Sequence, residues 1–204
     1  MNYRQPHLGP MVLILLIPVF AFGSIPEMDN CNISTRATED VSVMICPACD
    51  GYPFSQAMVY DGDFMDATIE VYLRNSAGQP IANFPNDDIY LMDPNLCFFP
   101  GGNVADSDTD ANGYTQFAFP PCGGGCSENF ELGGYVAGNP FIQNPLPHIK
   151  VNSPDLNCDL VVNLSDLAIF AQVYFGTVTY CVDYYWDGVM DLRDLALFAQ
   201  HYGH

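Results

Sequence analysis

From residue 67 the chain alternates, with Ala67, Ile69, Val71 and Leu73 on one side and Thr68, Glu70, Tyr72 and Arg74 on the other. A period of two predicts a half-buried strand. Asn75 to Pro80 reads as a turn, with short strands expected at Ile81 to Phe84 and Asp88 to Met92. Asp110, Ala111, Asn112 and Gly113 give a hairpin-turn signal ahead of a strand from Tyr114 to Phe119, and a last strand is expected at His148 to Val151. Short apolar runs punctuated by Gly, Pro and Asn, without helical period, predict an antiparallel β-sandwich over residues 24–152.

The pattern changes at about residue 153. Shifting the chain by 28 residues superposes Asp155–Tyr174 on Asp183–Tyr202, with eleven of twenty positions identical. Each copy opens with a 12-residue oxygen-rich loop and runs into a helix, expected at Leu164–Phe175 and Leu192–Tyr202. In the first helix Leu164, Leu167, Ala168, Ala171 and Tyr174 are expected to share the buried face. Loop one offers Asp155, Asn157, Asp159, the carbonyl of Val161, Asn163 and Asp166 at positions 1, 3, 5, 7, 9 and 12. Loop two offers Asp183, Asp187, the carbonyl of Val189, Asp191 and Asp194 at positions 1, 5, 7, 9 and 12. A loop of this spacing wraps six or more oxygens round one point, which suits hard Ca2+ better than Mg2+ with its tighter octahedron. The two sites are expected to differ in affinity. Leu160 stands at the sixth position of loop one, where Gly makes the sharp turn, and Tyr185 replaces an oxygen donor in loop two. Asp108, Asp110 and Asn112 repeat only the first half of such a loop. Position 12 there is Phe119, so a plain turn is expected.

Met11 to Phe22 form an apolar run behind Arg4 and His7, followed by Ala21, Phe22 and Gly23 as a cleavage signal. Residues 1–23 therefore read as a secretory signal peptide, leaving no membrane span in the mature chain. All eight cysteines lie beyond residue 23. An even count in an exported chain implies disulfides, in preference to zinc or thiol-redox use of Cys46-Pro-Ala-Cys49 and Cys122-Gly-Gly-Gly-Cys126. Cys158 and Cys181 are expected to bond to each other.

Twenty-four acidic residues against five basic ones give a net charge of −19, which excludes nucleic acid and an anionic membrane surface as partners and favours a cation. With 49% apolar residues the chain nonetheless has material for a core. Histidine occurs only at 7, 148, 201 and 204, the last two in what reads as a frayed tail. None of the common nucleophile, metalloprotease or phosphate-loop motifs is present, so no enzyme is expected.

Two resemblances sharpen this reading. Glu70 to Pro80 and Thr109 to Phe117 resemble the turn-and-strand motifs of bacterial Ig-like domains of the invasin/intimin type, which implies a spacer or binding module. The pattern Asp155-x-Asn157-x-Asp159-x-x-Val162-Asn163-x-x-Asp166-Leu167, repeated once with Asp at position 12, resembles the dockerin type I module. That resemblance implies a small helical unit with two Ca2+ sites that attaches secreted proteins to cohesin modules. Leu164, Ser165, Leu192 and Arg193 stand where such modules carry small hydroxyl recognition residues.

The expectation is a multidomain chain, with an all-β Ig-like antiparallel sandwich followed by a small α-helical duplicated calcium-loop (dockerin-like) module at 153–204. Its function would be that of a secreted, cell-surface or extracellular structural protein. The partner would be itself, as a homo-oligomer or filament, or another extracellular protein. A monomeric adaptor for a cohesin-like partner and a carbohydrate-binding adhesin are the alternatives.

Overall fold

The computed structural model describes residues 25–60, 62–174 and 176–203; the expected signal peptide lies outside them. Twelve short strands precede two helices: β1 (Asn32–Thr35), β2 (Val41–Met44), β3 (Ala57–Val59), β4 (Phe64–Met65), β5 (Ile69–Tyr72), β6 (Ile89–Met92), β7 (Leu96–Phe98), β8 (Tyr114–Phe117), β9 (Gly123–Gly125), β10 (Gly133–Val136), β11 (Asn139–Pro140), β12 (Ile149–Asn152), α1 (Leu164–Tyr174) and α2 (Leu192–Gln200). The fold is thus mostly β, with a small helical C-terminal region.

The strands form sheets in the orders β1-β5-β8, β11-β10-β6, β12-β2-β3-β4 and β7-β9. Their apolar faces meet in one core. Ile33 of β1, Ile69 and Val71 of β5, and Phe117 of β8 pack with Leu91 of β6, Val136 of β10, Val43 of β2 and Val151 of β12. The alternation read at 67–73 holds, since Ala67, Ile69, Val71 and Leu73 are fully buried.

Three details differ from the sequence expectation. The Asp110 turn forms, with the Asp110 carboxylate accepting from the backbone of Asn112 and Tyr114. The strand it leads into, however, forms its ladder with β5; the segment before the turn is no strand, and from it Asp106 N and Asp110 N donate to the Gln116 and Tyr114 carbonyls of β8. No strand forms at Ile81 to Phe84; Ile81 N–H instead donates to the Leu73 carbonyl. The pairing of β12 with β2 is parallel, which departs from a wholly antiparallel sandwich.

The helices pack on a second core of Val162, Phe170, Val182, Tyr184, Leu197 and Phe198, which also takes in Met44 and Cys46 from the β part. Phe170 stacks on Tyr184 with ring centroids 6.1 Å apart and lies 5.4 Å from Phe198. The buried face of α1 is therefore centred on Asp166 and Phe170, while Leu164, Ala168 and Tyr174 are exposed. The expected face was wrong because Asp166, a polar residue, is drawn inward to satisfy the loop backbone.

Three disulfides form: Cys49–Cys122, Cys97–Cys158 and Cys126–Cys181. Cys158 and Cys181 do not bond to each other, contrary to expectation. Each reaches back into the β part. The backbone of Cys158 is left-handed (φ 60°), and its Sγ lies beside Gly125 on β9, the strand paired with β7, which carries Cys97. Cys31 and Cys46 remain as buried thiols. Bridges of this number are characteristic of an oxidising compartment. Among the described residues no helix is long and apolar enough to cross a membrane.

Candidate metal loops

Each loop is organised by its first and last carboxylates, which bind backbone amides across the turn. In loop one Asp155 Oδ1 accepts from Asp159 N at 3.2 Å and Oδ2 from Leu160 N at 2.9 Å. In loop two Asp183 makes the matching pair with Asp187 N at 3.2 Å and Gly188 N at 2.8 Å. Asp166 Oδ1 accepts from Leu156 N and Asn157 N and its Oδ2 from Asn163 N. Asp194 likewise accepts from Tyr185 N and Asp191 N, completing a capping box at the start of α2. The 28-residue sequence repeat is thus also a repeat of hydrogen bonds.

Backbone strain is repeated as well. Position 6 is left-handed in both copies, with Leu160 at φ 65° and Gly188 at φ 77°. A non-Gly residue there costs roughly 1–2 kcal/mol, and the Asp155 carboxylate holds Leu160 N–H in place against that cost.

The remaining expected donors of loop one line its outer side. Asn157 Oδ1 accepts from Asp159 N, and Asp159 accepts from Val161 N and Asn157 Nδ2. Asn163 caps α1 by accepting from Ser165 N and donates to the Val161 carbonyl. Carboxylate oxygens of Asp155, Asp159 and Asp166 all lie within 4.8 Å of one another, with Asp155 and Asp166 fully buried. Burial, with the charges of Asp166 and Asp159 added, pushes the Asp155 pKa up. A divalent cation offsets such a charge cluster, and carboxylate oxygens suit a hard one.

Loop two differs because it contains its own cation. The Arg193 guanidinium pairs with Asp187 and, at 2.9 Å, with Asp191, and it lies 4.5 Å above the Tyr185 ring. It holds the Asp191 pKa below the usual carboxylate range. Asp183 and Asp194 are instead pushed up, first by burial and then by neighbouring carboxylates. Val189 N–H donates to Asp187, so the backbone of position 7 follows the same turn as in loop one. Ser165 stands opposite Arg193 in the repeat and brings no charge. Sequence reasoning placed Arg193 at a helix start but missed this role. Its position between Asp191 and Asp194 was the available signal.

A second missed feature is the glycine run of β9. Gly125 N–H donates to the Asp155 carbonyl at 2.8 Å, and a Cβ on Gly124 would sit 2.0 Å from Asp155 Oδ2. Glycine lets the strand backbone lie against loop one, where any side chain would displace the buried carboxylate. Cys122-Gly-Gly-Gly-Cys126 thus serves close approach and disulfide bonding.

No protein-family model matches the chain, and no curated protein matches it. Among solved structures it is similar to the Lin-41 filamin domain, with a TM-score of 0.31 and 16% identity over 62% of this chain and 95% of that one.

Proposed function

We propose that the chain is a non-enzymatic, exported building block of an extracellular filament or layer, whose C-terminal dockerin-like unit is stabilised by Ca2+. The observation that carries the calcium reading is the convergence of Asp155, Asp159 and Asp166 in loop one, two of them fully buried. Loop one is the tighter site, with Asn157, Asn163 and the Val161 carbonyl completing the oxygen set. Loop two, with Asp183, Asp187, Asp191, Asp194 and the Val189 carbonyl, is the weaker, because Arg193 already pairs with two of its carboxylates and offsets part of their charge.

An assembly role is supported by how the C-terminal unit is fastened. Two disulfides and the shared core around Met44 and Tyr184 tie it to the β part, so that force or contacts on one pass to the other. The β part enters the same reading as a spacer module.

A second reading, a monomeric adaptor for a cohesin-like partner, is favoured by one observation. Leu164 and Leu192 occupy equivalent positions of the repeat and are 68% and 72% exposed. Light scattering after size exclusion, on oxidised protein in Ca2+ and then in chelator, separates the two. Large assemblies in Ca2+ support the structural subunit, and a compact monomer in both buffers overturns it in favour of the adaptor.

A further inference from the structure

His201, expected in a frayed tail, is 6% exposed at the C-terminal cap of α2. Its Nδ1 lies 3.1 Å from Asp50 Oδ1. Asp50 follows β2 by six residues, just after the turn closed by the hydrogen bond of Cys49 N–H to the Cys46 carbonyl. Cys46 is fully buried and keeps its thiol although its near neighbour Cys49 is bridged to Cys122. Donor atoms of Cys46, Asp50 and His201 lie within 4.8 Å of one another.

This donor set differs in kind from the acidic loops. A sulfur, an imidazole nitrogen and one carboxylate suit a borderline-soft ion, and Ca2+ does not select sulfur. A tetrahedral Zn2+ site holds its donors about 3.3–3.8 Å apart, given bonds of about 2.0–2.3 Å. The three groups, within 4.8 Å of one another, therefore need to close by roughly 1.5 Å at most. The Asp50 side chain is 40% exposed, which leaves an entry path and room for a water as fourth ligand.

We propose that Cys46, Asp50 and His201 form a Zn2+ site that clamps the end of α2 to the turn after β2. On binding, the S–H bond of Cys46 breaks and an S–Zn bond forms, the proton passing to solvent, while His201 and Asp50 coordinate through a ring nitrogen and a carboxylate oxygen. The clamp joins the helical region to the β part on the face where the second core includes Met44 and Cys46.

The test uses oxidised protein in saturating Ca2+, so that the acidic loops do not compete. Co2+ is titrated as the spectroscopic probe for Zn2+. A near-ultraviolet sulfur-to-cobalt band should saturate at one equivalent and disappear when Zn2+ is added. Cys46→Ser should lose the band, His201→Gln should weaken Co2+ binding at least about tenfold, and Cys31→Ser, which removes the other thiol, should leave it intact. A missing band, or a band that survives in Cys46→Ser, overturns the site. X-ray absorption at the zinc edge on the wild-type protein needs no variant. One sulfur in the first shell supports the clamp, and a shell of nitrogen and oxygen alone refutes it.

Discussion

Replacing Asp159 by Asn tests the calcium reading with a change of sign. Asp159 is exposed and anchors no core element, whereas Asp155 and Asp166 are fully buried and hold backbone amides. An Asn side chain keeps an oxygen for Val161 N–H and removes the charge, together with the Oδ2 acceptor of the exposed Asn157 and Asn163 amides. Ca2+ at about 100 times its dissociation constant stabilises the native state by about 2.7 kcal/mol. For a chain of this size that raises Tm by roughly 5–11 °C. If the variant binds about tenfold more weakly, the gain at the same Ca2+ concentration falls to about 1.4 kcal/mol. In chelator the order should reverse, or at least level. The charge of Asp159 contributes to pushing the Asp155 pKa up, so removing it relieves the apo loop. Scanning calorimetry in Ca2+ and in EGTA reads both effects. Acidity supplies a further control. Because the folded pKa of Asp155 is raised, the apo protein loses this group's contribution as pH rises through the carboxylate range. Ca2+ competes with protons for the same oxygens, so as pH drops its stabilisation should begin to fade above the ordinary carboxylate pKa of about 4, where the raised Asp155 carboxyl starts to protonate. Equal melting points in Ca2+ and EGTA at neutral pH would refute the argument. A variant that melts lower than wild type by the same amount in both buffers would do so too.

Three further predictions concern loop two and the disulfides. Arg193→Gln removes the guanidinium from Asp187 and Asp191 and should tighten loop two, with calorimetric stoichiometry moving from one towards two Ca2+ per chain. Wild-type stoichiometry and affinities in the variant would show that Arg193 does not compete. Non-reducing peptide mapping should find Cys97 linked to Cys158 and Cys126 linked to Cys181, never Cys158 to Cys181. Because Cys126 and Cys181 are 55 residues apart, losing their bridge in a Cys126→Ser, Cys181→Ser protein should cost about 4 kcal/mol by chain entropy, read from denaturant unfolding.

Local pattern carried much of the architecture. The alternation at 67–73 identified the inner face of β5, because a period of two leaves no choice about which side chains face a core. The repeat identified both loops and both helices, because a loop needs its oxygens and its turn residue at fixed spacing from one another. The hydrogen bonds of Asp155 and Asp183 confirm how closely the two copies fold alike.

What the local pattern could not decide was pairing across long stretches of chain. Cysteine spacing does not report which strand lies beside which loop, so Cys158 was assigned to Cys181, although β7 and β9 bring Cys97 to it. The glycines of β9 looked like punctuation until Asp155 was found against Gly124. Helix periodicity placed Leu164 inward, but the unsatisfied amides of loop one draw Asp166 in and rotate the helix. His201 and Cys46 are 155 positions apart and meet only because the second core packs the end of α2 onto the β part. The sequence by itself determined what repeats and what is near in the chain. Tertiary packing decided which distant groups share a desolvated space, and in that space a charge, thiol or amide must find a partner.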